Sequence, residues 1–272
     1  MTSSGDHILL NNLLYSCVDK TQRGNEQLVT DNCLGYILSG ETHFTTAEGV
    51  RVFKAGTIGV VGRNQLVKSV KMPAPGGEFR SINIFFSQEI LRKYSADHAI
   101  HAAGRYTGEK LHLLSGDPFI KGYFYSLLPY FDDPTRMNPV LMQVKTIEAI
   151  ELVLRTAPAL KDLLFDFSEP HKIDLEYFME KHFTYNVSLS DFARLTGRSR
   201  SGFKRDFEKI FSTSPGQWLQ QKRLHKAYAL MKEEGIKPSS VYLDVGFENL
   251  SHFSFAFKKT FGVAPSAIAN SH

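Results

Sequence analysis

The chain has 272 residues, with 32 Lys+Arg against 28 Asp+Glu and 42% hydrophobic residues. That composition excludes global disorder, and the length suits one large domain or two ordinary ones. Only two cysteines, Cys17 and Cys33, are present, which excludes a disulfide framework and points to buried thiols in a reducing cytoplasm. The opening MTSSGDHILLNN lacks the basic and apolar regions of a signal peptide, and no run approaches a membrane span.

In chain order, residues 28–86 read as β. LGYILSGETHF, VRVFKAG, TIGVVG, QLVKSVK and EFRSINIFF are short, rich in β-branched and aromatic residues, and separated by turn signals. Ala47–Gly49 reads as a hairpin turn and Pro73–Gly77 as a loop. Several short strands at this spacing predict a small sandwich or barrel. Alternation is expected to point Tyr36, Leu38, Phe44, Ile58 and Val60 into its interior, either as ordinary core or as the wall of a pocket for an apolar or sugar-like effector. A metal-binding barrel needs a close His pair with a carboxylate and a further His. The strands offer only His43, with Glu41 and Glu48 nearby, and His98, His101 and His112 lack a suitably spaced carboxylate. No nucleophile elbow, phosphate loop or dinucleotide fingerprint is present. The expectation is therefore no metal, no cofactor, no catalytic residue and no enzyme activity.

From Gln88 the pattern turns helical. SQEILRKYS, DPFIKGYFYSLLPYF and PVLMQVKTIEAIELVLR carry apolar residues three and four apart. In the last, Leu141, Val144, Ile147, Ile150 and Leu154 form one stripe, with Glu151 outside it, that packs on the barrel or against a second subunit. DFSEPHKIDL is polar and contains a proline, as a linker does. The division predicted is 1–165 for the first domain, 166–173 for the linker and 174–272 for the second domain.

The C-terminal third is basic and repeats. From His171 onward it holds 15 Lys+Arg against 10 Asp+Glu, a balance that nucleic-acid binding favours. At an offset of 50, Phe203, Phe207, Phe211 and Pro215 fall on Phe253, Phe257, Phe261 and Pro265. Upstream the offset is 49, with Phe192 and Gly197 on Tyr242 and Gly246, so the second turn is one residue longer. Each copy reads as a short helix, a glycine turn and a longer helix, the helix-turn-helix arrangement. Between them Gln217–Glu233 predicts a connecting helix about 25 Å long, close to the ~34 Å of one turn of B-DNA. The first long helix, about Ser199–Phe211, is expected to bury Phe203, Phe207, Ile210 and Phe211. Its other face shows Ser201, Lys204, Arg205 and Glu208, with Arg198 and Arg200 at its start. In the second, Ser251, Phe255, Lys258 and Lys259 face away from the phenylalanine stripe, with His252 at the edge.

LSDFARLTG with FKRDFEKIF, then SPGQWL, RLHKAYALM, and DVGF with FKKTFG and AP resemble the DNA-binding domain of the AraC/XylS family of bacterial transcription regulators. The Gly246–Pro265 segment carries that family's most distinctive signature. Over the first half the resemblance is architectural. It implies an α+β protein: an N-terminal cupin-like β-barrel with flanking helices, and a C-terminal all-α domain with two helix-turn-helix units joined by a linker helix. The function implied is sequence-specific promoter binding, as an activator that contacts RNA polymerase, with a small-molecule or protein effector and a homodimer through the N-terminal domain. By this resemblance Ser201, Lys204, Arg205, Leu250, Ser251, His252 and Phe255 face the bases. Arg198, Arg200, Lys258 and Lys259 are the expected backbone contacts. Phe255, where relatives often carry a polar residue, is suited to thymine methyl groups or to a protein interface. After Pro265 the sequence SAIANSH lacks the aromatic and arginine that relatives place there. Two other readings stay open: a cupin-like enzyme or ligand-binding protein tethered to nucleic acid, and a nonspecific DNA-binding protein.

Overall fold

The computed structural model describes residues 7–23, 27–46, 49–114 and 116–269. Ala47 and Glu48 of the expected hairpin turn, and the last three residues of SAIANSH, lie outside them. The chain divides into two compact units, Met1–Ser168 and Glu169–His272. No described helix is long and apolar enough to cross a membrane.

In the first unit the apolar alternation builds antiparallel strands. β1 (His7–Leu10), β2 (Leu13–Val18), β10 (Phe79–Phe86), β5 (Asn32–Ser39), β8 (Ile58–Val61) and β11 (Leu111–Leu114) form one sheet in the order β1-β2-β10-β5-β8-β11. β3 (Gln22–Arg23), β9 (Gln65–Met72), β6 (Glu41–Thr46) and β7 (Gly49–Lys54) form the second, and β4 (Gln27–Val29) pairs with β9. β1, β2, β3 and β11 lie outside the expected β region. The first two are joined by Asn11–Asn12, with Asn11 in the left-handed region (φ 51°) and Leu10 opposite Leu13. Asparagine tolerates that conformation, which makes a two-residue connection possible.

Both faces of the larger sheet are covered. One carries Leu34, Tyr36, Ile58, Val60, Ile82 and Ile84, packed in a core with residues of α1 (Gln88–His98), α2 (Pro118–Asp132), α3 (Pro139–Thr156) and α4 (Lys161–Leu164). The other face and the second sheet enclose a smaller core of Val18, Ile37, Phe53, Phe79 and Leu111. α3 turns a different side to the core than expected. Met142, Thr146, Ala149, Ile150 and Val153 are its buried residues, and Val144 is exposed. The expected stripe advanced mostly in steps of three, which drift around a 3.6-residue helix. Of its members only Ile150 is fully buried.

The second unit is helical: α5 (Leu175–His182), α6 (Leu189–Leu195), α7 (Arg200–Phe211), α8 (Pro215–Glu233), α9 (Pro238–Asp244), α10 (Leu250–Phe261) and α11 (Pro265–Ala269). Proline at the first turn and the Ser214 side chain at the N-cap start α8 two residues before the expected point. Its 19 residues span about 28 Å.

Candidate nucleic-acid interface

The internal repeat becomes two helix-turn-helix units, α6–α7 and α9–α10. Their long helices start 50 residues apart and their short helices 49. Each long helix buries a phenylalanine ladder against α8. Phe207 and Phe211 meet Trp218 with ring centroids 5.6 and 4.7 Å away. In the second unit Phe257 and Phe261 meet Tyr228 at 6.2 and 5.0 Å. Rings one turn apart on each long helix thus seat it on the connecting helix. Ile210, expected in the first core, is exposed, because the ladder already fills the contact side.

Capping fixes where the long helices begin. Ser199 Oγ accepts from the Gly202 N–H at 3.1 Å. Asn249 Oδ1 accepts from Ser251 and His252 N–H at 2.7 and 3.2 Å. Upstream, Ser188 and Asp191 form a capping box for α6. Each turn contains a glycine with positive φ, 64° at Gly197 and 91° at Gly246. Close packing adds to that requirement. A Cβ on Gly197 would collide with the His171 carbonyl, and one on Gly246 would lie 2.6 Å from Thr184 O.

Two arginines brace these turns. Arg198 donates to Thr196 O at 2.7 Å, to Ile173 O at 3.0 Å and to Asp206 Oδ2 at 3.1 Å. Its side chain is only 8% exposed, so Arg198 is corrected from a backbone-contact residue to an internal brace. An arginine before a recognition helix reads as a phosphate ligand in sequence, but here its planar fork is already committed. Arg223, from α8, donates to Phe183 O, Gly246 O and Tyr185 O at 2.8, 2.9 and 2.9 Å. Sequence reasoning assigned Arg223 no role; its place in RLHKAYALM was the available signal. Hydrogen bonds from Lys172 and then Arg198 hold the Asp206 carboxyl below its usual range.

The remaining predicted residues divide into two displays. Ser201, Lys204 and Arg205 lie exposed on α7, with the Arg205 side chain 82% exposed and Arg200 beside them. Lys204 Nζ stands 3.9 Å from Glu208 Oε1, a surface pair weak enough to exchange for a phosphate or base. On α10 Leu250, Ser251 and His252 are exposed and Phe255 is exposed by 71%, and Lys258 and Lys259 occupy its last turn. The helix displays polar and cationic groups together with one uncovered aromatic ring.

The predicted effector residues are not a single wall. Tyr36, Ile58 and Val60 are buried in the core shared with α1–α4, and Leu38 packs against that core. Phe44 alone of the five lines the space between the sheets, together with Gly35, Ile37, Gly59 and Val61. In β5 and β8 the alternation is present, but its phase is opposite to the one assigned. A sheet covered on both faces offers no polar face to mark the outside. His43 pairs with Glu41 at 2.9 Å. Among the described residues no group of three or more His, Cys, Asp or Glu is placed to hold a metal.

Comparison with known proteins divides the chain in the same manner. Residues 192–271 match the helix-turn-helix domain model, and residues 32–162 match that of the ExsA N-terminal regulatory domain. The HTH-type transcriptional regulator ExsA of Pseudomonas aeruginosa is 30% identical over 130 residues, 47% of each chain. The virulence regulon transcriptional activator VirF of Yersinia enterocolitica is 29% identical over 92 residues, 34% of each. The matches span about half, or less, of the length of these curated relatives. Among solved structures, an apo form of ToxT from Vibrio cholerae aligns over 98% of this chain and 99% of its own, at 13% identity and a TM-score of 0.48.

Proposed function

The chain belongs to the AraC/XylS family of regulators, and from that premise we propose that it is a sequence-specific promoter-binding transcription activator of the cytoplasm. The observation that carries this reading is the pair α7 and α10. Both are seated on one rigid helix by equivalent aromatic ladders, and both leave their opposite side uncovered. A connecting helix of about 28 Å suits successive major grooves on one face of B-DNA. Pre-set spacing removes part of the ordering cost of binding.

In this reading Ser201, Lys204 and Arg205 meet base edges from α7, and Arg205 is the group able to grip a guanine through two hydrogen bonds. Leu250, Ser251, His252 and Phe255 meet bases from α10, with the Phe255 ring against thymine methyl groups. Arg200, Lys258 and Lys259 neutralise phosphates. The N-terminal unit senses a small-molecule or protein signal and supports a homodimer. Exposed Phe119 of α2 and Val140 and Val144 of α3 support an interface there. Contact with RNA polymerase is the family expectation for an activator.

The test is selection of genomic fragments by the purified full chain at near-physiological salt. The expected result is a motif of two blocks about 10 bp apart. Salt-sensitive binding with no motif would overturn sequence specificity and favour a nonspecific DNA-binding protein.

A further inference from the structure

The two helix-turn-helix units are tied to each other as well as to α8. Arg223 sits midway along α8 between Trp218, which seats α7, and Tyr228, which seats α10. Its guanidinium reaches Phe183 O and Tyr185 O in the segment that leads into α6, and Gly246 O in the second turn. The two backbones also approach closely there, since a Cβ on Gly246 would lie 2.6 Å from Thr184 O. One further bond joins side chains of the two units: Asn186 Nδ2 donates to Glu248 Oε1 at 2.8 Å. Asn186 lies just ahead of the Ser188 cap of α6, and Glu248 just ahead of the Asn249 cap of α10.

Beside this bond the units stand apart. A recess of about 710 Å³ opens between them, walled by Val187 and Leu189, by Gly216 and Leu219 of α8, and by Phe247 and His252. Side chains do not interlock across a recess, so resistance to a swing of α10 about its ladder on Tyr228 falls on the polar ties. Arg223 and the Gly246 contact hold the second turn at one place, which leaves a rotation about that place. The Asn186–Glu248 bond is a separate attachment at the entry to α10, and it removes that rotation. Its acceptor is a carboxylate, which makes it stronger than a bond between neutral groups.

We propose that Asn186 and Glu248 are positioning residues for operator spacing: their bridge holds α10 at one offset from α7, so that the protein accepts a single distance between its two DNA blocks. This deepens the promoter-binding reading and rests on it for the effect on DNA; the restraint on α10 does not. The duplex makes such a restraint selective. Each base pair added between the blocks moves the second by about 3.4 Å along the axis and by about a tenth of a turn around it. A pivoting second unit follows that shift, whereas a fixed one loses its contacts. The bridge acts through the offset of α10, so base preference within each block is independent of it.

The first measurement needs no DNA. Spin labels on Arg205→Cys and Phe255→Cys, equivalent exposed positions of α7 and α10, report their separation in the full chain by double electron–electron resonance. Cys17 and Cys33 are buried and leave the introduced thiols as the labelling sites. A narrow distance distribution is expected with the native bridge and a broader one with Glu248→Ala. The second measurement is affinity for the selected motif, with its blocks at the native spacing and one base pair closer or farther apart. In otherwise wild-type protein the one-base-pair change should weaken binding by about tenfold or more. With Glu248→Ala that penalty should shrink to about threefold, a difference in the range of one net hydrogen bond. Base preference within each block should stay the same.

Removing a carboxylate also favours any anionic partner, so Glu248→Gln is the control for charge. Its amide oxygen still accepts from Asn186, and affinity should rise alike at all three spacings with the penalty kept. Asn186→Asp sets two carboxylates against each other and should relax the spacing as Glu248→Ala does. The double variant Asn186→Asp, Glu248→Gln exchanges donor and acceptor at constant charge, and it should restore both the narrow distribution and the penalty. Equal wild-type affinity at all three spacings, a distribution or penalty untouched by Glu248→Ala, or a double variant that restores neither would each overturn the bridge as the spacing device. A distribution that broadens with Glu248→Ala and narrows in the double variant, in a protein that selects no motif, would retain the restraint and overturn the regulator reading alone.

Discussion

The two helix-turn-helix units share a skeleton and differ in what they display. Both seat a phenylalanine ladder on α8, both turn on a glycine with positive φ, and both tie a turn carbonyl to an arginine. On the outside α7 offers Ser201, Lys204 and Arg205, whereas α10 offers Leu250 and Phe255 among serine, histidine and lysine. Internal positions of a repeat are constrained by packing, and a lost ring leaves a cavity. Exposed positions carry no such penalty, so they are free to diverge toward different contacts. The divergence implies a division of labour: hydrogen-bonded discrimination by the first unit, apolar and shape-dependent contact by the second.

The largest expected effect comes from breaking the shared skeleton. Arg223→Ala removes one guanidinium from three carbonyls and should cost about 3 kcal/mol of stability. Urea unfolding of the full chain can follow it by circular dichroism and by the fluorescence of Trp218, the single tryptophan, which packs in the first helix-turn-helix unit. Coincident shifts in both signals mean that the two units unfold together through α8. A shift in circular dichroism with Trp218 unmoved would mean that they are separate cooperative units. Arg198→Ala should reverse the pattern in that case, because its brace belongs to the first turn. It also leaves Asp206 with Lys172 as its main partner, so the stability contributed by the depressed Asp206 pKa should shrink. That contribution is present above the ordinary carboxylate range and is lost as pH falls through the folded-state value.

Next in size is the reading surface of the first helix-turn-helix unit. Arg205→Ala should weaken binding to the selected motif by about 1–3 kcal/mol and relax preference at one or two base pairs. Its effect on urea unfolding should be negligible, since the side chain is exposed. An equal loss on every sequence would sink the assignment to base readout and leave Arg205 a phosphate contact.

These assignments differ in how visible they were before any coordinates. The C-terminal unit was legible because its repeat lies in large buried rings, and the two offsets even located the extra residue in the second turn. The N-terminal unit's helices and middle strands were legible from periodicity, but the facing of those strands was not. Leu34, Tyr36, Ile58 and Val60 alternate cleanly, yet only the helical layer over them decides that Gly35, Ile37, Gly59 and Val61 face the other sheet. Lys71 went unnoticed for the same reason, since the two lysines of QLVKSVK look like exposed strand residues until Ser16 and Phe79 are brought to Lys71 from β2 and β10. Arg198 failed in the opposite direction. Its neighbours in sequence suggested DNA, and its partners at Ile173 and Asp206 are set by the tertiary fold.

The second helix-turn-helix unit should respond more gently. Phe255→Ala removes an exposed ring, so stability should hold while affinity for thymine-containing motifs falls by about 1 kcal/mol, with less loss where thymine is replaced. A uniform loss across sequences would remove the methyl contact from the account, and a change in oligomeric state would reassign Phe255 to a protein interface.

The smallest effect separates charge from readout. Lys258 and Lys259 occupy the last turn of α10, where the Lys258 carbonyl accepts from the Gly262 N–H of the left-handed cap. A cation there opposes the partial negative charge of the helix end, so Lys258→Ala should cost about 0.3 kcal/mol of stability. If the same ammonium also neutralises a phosphate, binding should weaken alike on all sequences, and the slope of log affinity against log salt should become shallower by about 0.9. The two contributions separate by experiment. The helix-end effect appears without DNA and fades with salt, whereas the phosphate contact changes the salt slope of binding itself. A variant that loses stability and keeps the full slope would confine Lys258 to its own helix and leave the phosphate contacts of this unit to Lys259.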